Sequence, residues 1–202
     1  MKVQFPAWLR PIVGRNLLWK VQSSSKVIYL TFDDGPIPEV TPQVLDILNA
    51  HGWKATFFCV GENVKRYPEL YQRLRSEGHQ VGNHSFNHVQ AFRIPAKEYL
   101  DNVYKAAEWI DSRLFRPPHG QLTRRLKRKL TADYTVVMWD VLTYDYDASM
   151  TEEAVLKIVK RGLRPGSIVV FHDSLKARDR VLNVLPKALE YWKSKGYSFG
   201  LL

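Results

Sequence analysis

A chain of 202 residues with 45% hydrophobic and 25% charged residues can bury one sizeable core and has the make-up of an ordinary soluble domain. Its one cysteine, Cys59, rules out an intrachain disulfide, and no run approaches the roughly 18 apolar residues of a membrane span. The formal net charge of +10 would suit an anionic partner. No zinc-finger spacing, RNP-like motif or helix-turn-helix signal accompanies that charge, so no nucleic-acid partner is expected.

Residues 1–25 are expected to form an N-terminal arm. Arg10, Pro11, Gly14 and Arg15 interrupt its apolar residues, which argues against a secretory signal and places the chain in the cytoplasm by default. Between Phe5 and Trp19, aromatic and aliphatic residues mix with Arg and Lys. An arm docked on the domain is the favoured reading, and peripheral contact with an anionic membrane the alternative.

From residue 26 onward strands and helices alternate. Lys26–Phe32 reads as a buried strand, and Val40–Ala50 as a helix with Thr41-Pro42 at its start and Gly52 past its end. Strand Ala55–Val60, helix Tyr67–Glu77 and a short strand at Gln80–Gly82 follow. Pro95–Arg113 reads as a long helix with Tyr99, Val103, Ala106, Ala107 and Ile110 on one face. Next come a brief strand at Leu114–Arg116, a basic helix near Leu122–Leu130 and a strand at Tyr134–Val141. The chain ends with helix Thr151–Arg161, strand Ser167–Phe171, helix Val181–Lys195 and strand Tyr197–Leu201. This βα repeat predicts one α/β domain, residues 26–202, with a mostly parallel sheet. Periodicity alone fits both an incomplete barrel and an open doubly wound sheet. Cys59, inside Ala-Thr-Phe-Phe-Cys-Val, is expected to be a small buried apolar residue.

In such folds, functional groups collect where strands end. Asp33-Asp34 follows the first strand, His84 and His88 the third and Arg116 the fourth. Asp140 and Asp145 follow the strand containing Trp139, and His172-Asp173 closes the penultimate one. A parallel sheet brings these positions to one rim. Adjacent carboxylates need a cation or a shared proton, and the two can point apart to serve different ends. His84-Ser85-Phe86-Asn87-His88 spaces two imidazoles four apart, as on one face of a helical turn. With Asp34 they make a two-nitrogen, one-oxygen set suited to Zn²⁺, Co²⁺, Ni²⁺ or Fe²⁺. His172 is placed to give a proton to a leaving group, and Arg116 to orient an aspartate and hold its pKa low. His51 and His79, at helix ends, are read as structural.

In order, Thr31-Phe32-Asp33-Asp34-Gly35-Pro36, His84-Ser85-Phe86-Asn87-His88, Arg116-Pro117-Pro118-His119-Gly120, the Trp139–Tyr146 segment and Val170-Phe171-His172 resemble the five motifs of the polysaccharide deacetylase family (NodB homology domain, carbohydrate esterase family 4). The resemblance runs from about Lys26 to the C-terminus. It implies a distorted, incomplete (β/α) barrel of about seven parallel strands. It implies one divalent metal, with zinc the first expectation, on Asp34, His84 and His88. Asp33 would be the general base, His172 the general acid and Arg116 the partner of Asp33. The backbone N–H of His119 would hold an oxyanion, and Pro117, His119 and Trp139 would touch substrate. His119 stands where the family usually has Tyr, and Leu142 where it often has Asp. Asp140 and Asp145 are therefore both candidates to support Arg116, with Asp145 preferred.

The implied activity is removal of N-acetyl groups from an amino-sugar carbohydrate such as a chitooligosaccharide or peptidoglycan, by a monomer, with release of acetate. The alternatives are action on a lipid-linked sugar or another small amide, and a non-catalytic basic binding protein.

Overall fold

The structure is a computed structural model that describes residue 14 and residues 16–202. The first half of the expected arm, with most of the segment considered for membrane contact, therefore lies outside the described residues. The described chain forms one α/β domain. Its strands are β1 (Val27–Asp33), β2 (Thr56–Cys59), β3 (Gln80–Asn83), β4 (Leu114–Phe115), β5 (Thr135–Val136), β6 (Val141–Leu142), β7 (Ile168–His172) and β8 (Ser198–Phe199). Its helices are α1 (Thr41–His51), α2 (Gly61–Arg66), α3 (Pro68–Ser76), α4 (Ala96–Ala107), α5 (Arg124–Asp133), α6 (Glu152–Arg161) and α7 (Arg178–Ser194). Among the described residues no helix is long and apolar enough to cross a membrane.

The strands pair in parallel in the order β5-β4-β3-β2-β1-β7-β6, with β8 beside the start of β1. The two ends of that order, β5 and β6, are successive pieces of one segment. The sheet therefore curls back on itself into a distorted, incomplete barrel, and the doubly wound alternative is excluded. Residues 18–20 stitch this curl from outside the ladder: Leu18 bridges Val137, and Lys20 bridges Ser167.

Strand β1 shows how the pleat divides the molecule. Ile28, Leu30 and Phe32 face outward and pack with Val44, Leu45, Val184, Leu185 and Trp192 of α1 and α7 in the main core. Phe32 stacks on Phe57 at 4.9 Å and on Phe171 at 6.1 Å. Tyr29, Thr31 and Asp33, the alternate residues, face the barrel interior. There Tyr29 packs with Phe58, Val137 and Ile168. A smaller core lies between α4, α5 and the edge strands, built on Tyr99, Val103, Phe115, Leu126, Leu130 and Val136. Cys59 is buried in the main core, as expected, and burial pushes its thiol well up.

Local chemistry accounts for the boundaries. Thr123 and Thr151 cap α5 and α6 by accepting hydrogen bonds from the N–H groups of Leu126 and Ala154. Pro42 opens α1, and Gly52, in the left-handed region, ends it. Three expectations are corrected. Helix α2 was not foreseen; it occupies what the sequence suggested was a connection. The long helix expected to reach Arg113 stops at Ala107. The strand expected over Tyr134–Val141 breaks into β5 and β6, because its two halves pair with opposite ends of the sheet.

Candidate active site

The C-terminal ends of β1, β3 and β7 and the loops after β4 and β6 enclose a cavity of about 360 Å³. Asp33, Asp34, His84, His88, His119 and His172 line it, together with Pro117 and Trp139. Sequence reasoning did not single out Tyr146 and Lys176 as lining residues, and Leu142 also reaches the wall. Tyr146 meets the His172 ring edge-on at 4.7 Å.

Asp34 Oδ1 lies 3.2 Å from His88 Nε2 and 3.7 Å from His84 Nε2, and one ligand atom from each residue falls within 4.8 Å of the others. Asp34 Oδ1 is buried and receives no hydrogen bond. His84 Nδ1 is 2.7 Å from the Arg116 carbonyl oxygen, which can only accept, so Nδ1 carries the proton and Nε2 presents a lone pair. Burial lowers the His84 pKa to about 4, against the opposing pull of Asp33 and Asp34, so the ring is neutral near pH 7. Burial also works against ionisation of Asp34, but His88, His172 and His84 outweigh it and hold the carboxyl below the usual range. An orphaned buried oxygen facing two imidazole nitrogens is a donor set that fits a divalent cation.

His84 and His88 do not lie on a helical turn, contrary to expectation. They sit in a loop after β3 with Ser85 and His88 at positive φ, 64° and 58°. The Asn83 side chain accepts the Ser85 N–H at 2.8 Å, and Asn102 of α4 accepts the Phe86 N–H at 2.9 Å. These asparagines fold the loop so that both rings converge on Asp34.

Arg116 is wholly buried in the barrel interior. Its NH1 donates to Asp33 Oδ1 at 2.6 Å and to Thr31 Oγ1 at 2.8 Å, its NH2 donates to the Met138 carbonyl at 3.0 Å, and the guanidinium lies 4.1 Å from the centre of the Phe58 ring. Burial lowers the guanidinium pKa while Asp33 opposes the change. The expected Arg116–Asp33 pair is thus present in the geometry.

The preferred support for Arg116, Asp145, is a correction. Asp145 Oδ1 accepts from His172 Nδ1 at 2.7 Å, and Oδ2 accepts the His172 backbone N–H at 2.7 Å. Thr143 fixes the same carboxylate at 2.9 Å. Burial would lower the His172 pKa, but Asp145 and the more distant Asp34 and Asp33 raise it to about 9. The rival, Asp140, forms a two-pronged pair with Arg164 at 2.6 and 2.9 Å and accepts from Ser167 at 2.8 Å, away from the cavity.

One buried residue placed at a strand end by the sequence but given no role there is Asp173. Its Oδ1 accepts the Gly35 N–H at 3.0 Å, its Oδ2 accepts the Thr41 hydroxyl at 2.6 Å, and its own N–H donates to the Asp33 carbonyl at 3.1 Å. A Cβ on Gly35 would fall 1.9 Å from that carboxylate, so only glycine fits. Burial pushes the Asp173 carboxyl up to about 8, with the bonds from Thr41 and Gly35 opposing. Asn63 Nδ2 donates to the Asp34 carbonyl at 2.8 Å and secures the other side of the turn. The signal was an aspartate directly after a strand-end histidine, but its partners sit about 138 residues away in sequence. His79, read as structural, is buried, accepts the Ala55 N–H at 3.1 Å, and is not among the residues that line the cavity.

A family model described as polysaccharide deacetylase matches residues 20–139. A peptidoglycan-N-acetylglucosamine deacetylase of Bacillus cereus is 36% identical over 188 residues, covering 90% of this chain and 88% of the relative. A chitooligosaccharide deacetylase of Bradyrhizobium is 38% identical over 159 residues, covering 75% of this chain and 72% of the relative. Among solved structures, the Bc1960 peptidoglycan N-acetylglucosamine deacetylase in complex with 4-naphthalen-1-yl-N-oxidanyl-benzamide superposes with a TM-score of 0.89 at 28% identity, covering 98% of this chain and 95% of that one.

Proposed function

Because the chain belongs to the polysaccharide deacetylase family and is a hydrolase of that class, we propose that it removes N-acetyl groups from N-acetylglucosamine-containing glycan, with one divalent metal held by Asp34, His84 and His88. The observation that carries the metal assignment is the buried, unpartnered Asp34 Oδ1 facing the two imidazole nitrogens. Zinc suits the set, and cobalt, nickel or iron would also be accepted. A bound divalent ion would supply Lewis acidity that polarises the acetamide carbonyl and eases deprotonation of water.

The protein's own groups divide the proton work. Asp33, fixed by Arg116, takes a proton from the attacking water. His172, charged through its pair with Asp145, gives its proton to the sugar nitrogen as the C–N bond breaks, so a free amine and acetate leave. The Asp145 carboxylate holds Nδ1–H in place, which leaves Nε2 as the atom that delivers the proton. The loop carrying His119 borders the cavity, and its backbone N–H is assigned to the developing oxyanion. Pro117, Trp139, Leu142 and Tyr146 give the sugar apolar and aromatic walls.

Acetate release from N-acetylglucosamine oligomers and from peptidoglycan glycan fragments tests this reading. Activity should disappear with a chelator and return with Zn²⁺ or Co²⁺. The Asp33→Ala variant should lose a hundredfold or more, on the order expected for removing a general base. Undiminished release in chelator would remove the metal from the reaction, and full activity of Asp33→Ala would remove Asp33 as base.

A further inference from the structure

The two imidazoles that face Asp34 are held in different ways. His84 is enclosed: its side chain is 3% exposed, and its Nδ1 donates to the Arg116 carbonyl at 2.7 Å. His88 has no such partner. Its side chain is 32% exposed, its backbone lies in the left-handed region at φ 58°, and among the described residues its ring nitrogens meet no hydrogen-bonding group except Asp34. An imidazole that binds a metal through one nitrogen is usually oriented by a hydrogen bond at the other. The His88 ring has a packing neighbour instead. The His119 ring stands edge-to-face with it, centroids 4.6 Å apart and planes at 63°. Among the described residues the one other ring beside His88 is His84, the second imidazole of the set, at 5.1 Å.

The turn that carries His119 is closely braced. Pro117 and Pro118 fix two φ angles ahead of it. The Gly120 N–H donates to the Pro117 carbonyl at 2.9 Å, and the Gln121 N–H to the Pro118 carbonyl at 3.1 Å. His119 and Gly120 are both left-handed, at φ 57° and 66°. A Cβ on Gly120 would come within 2.6 Å of Trp139 Cη2, so the indole backs the turn directly. We propose that His119 is a positioning residue of the metal centre: its ring, held by this turn, keeps the His88 ring aimed at Asp34 in place of a hydrogen bond. The inference rests on the reading of Asp34, His84 and His88 as metal ligands, and deepens it. It makes Arg116–Gly120 a single grip on both imidazoles, on His84 through the Arg116 carbonyl and on His88 through the His119 ring. The same segment fixes Asp33 through the Arg116 guanidinium, so ligand geometry and base position share one support. An edge-to-face contact at this distance asks for a ring, not for a ring nitrogen.

The test is the zinc affinity of the full chain, stripped of metal and titrated in competition with a chromogenic chelator, for the wild type, His119→Ala and His119→Phe. His119→Ala should bind zinc more weakly by about tenfold or more, the range found when groups that orient metal ligands are removed. His119→Phe keeps a ring but no nitrogen, and it should recover most of that loss. His119 is exposed, so neither change opens a cavity in the core. Equal affinity in all three proteins overturns the role of His119. Equal weakening in His119→Ala and His119→Phe overturns it as well, because the site would then be using a ring nitrogen rather than the packing of a ring. A wild type that binds no zinc overturns the metal reading itself and the positioning role with it.

Discussion

Asp33 and Asp34 are neighbours in sequence with different surroundings. The strand turns Asp33 into the barrel against Arg116, while Asp34, with φ at 84°, leaves the strand and faces the imidazoles. That divergence was legible because the pleat sends successive side chains to opposite sides. So were the strand-end positions of His84, His88, Arg116 and His172. The partner of Asp145 was not legible: spacing along the chain says where an aspartate leaves a strand, not which of two buried cations it meets across the rim. The geometry makes His172 that cation. Its raised pKa means the imidazolium persists to about pH 9, and activity that needs its proton falls as pH rises through that value. Asp145→Asn removes the opposite charge, so the alkaline limb of the kcat/KM profile should move down by about 1–3 pH units. An unmoved limb would detach Asp145 from the acid. Asp173 acts one step further out, through the turn that presents Asp34. Asp173→Ala should weaken zinc binding by about 10–100-fold, as measured by competition with a chromogenic chelator, and Asp173→Asn should restore much of it. Equal affinity in all three proteins would show that the turn holds its shape without this carboxylate.

At the scale of elements, the long periodic pieces were legible because an apolar face repeats over several turns in α4 and α7, although α4 ends at Ala107 rather than at the expected Arg113. Short pieces were less visible. Helix α2 spans only Gly61–Arg66 and buries just Gly61 and Val64, too few positions to set a period. The His84–His88 loop mimics helical spacing, yet its shape comes from Asn83 and Asn102, and the second of these belongs to a different element. Strands β1 and β7 are the frame that carries both halves of the proposed acid–base pair, Asp33 beside His172 in register. They are held by α7, whose Leu185 is wholly buried in the main core. Leu185→Ala should cost about 2–5 kcal/mol in chemical denaturation, a cavity-forming loss. A change under 1 kcal/mol would mean the helix is not packed on the strands as described.

For the whole molecule, the βα repeat announced a single parallel-sheet domain, while the choice between barrel and open sheet lay in pairings that no local pattern encodes. Thr135–Leu142 decides it, because one extended segment serves both ends of the sheet and closes the curl. The closure draws the loops after β4 and β6 over the ends of β1, β3 and β7. Residues spread from Asp33 to His172 thereby share one cavity. The overall charge of +10 does not say where the cations gather; the fold sets Arg124 and Lys127 near a wall of the candidate site.

The most direct measurement is anomalous diffraction from crystals soaked in zinc, recorded on both sides of the zinc absorption edge. One strong peak should appear about 2.0–2.2 Å from an Asp34 carboxylate oxygen and from Nε2 of both His84 and His88, and it should vanish in a His84→Ala crystal. A zinc-soaked crystal with no peak among these three residues, or with its strongest peak elsewhere, would contradict the account.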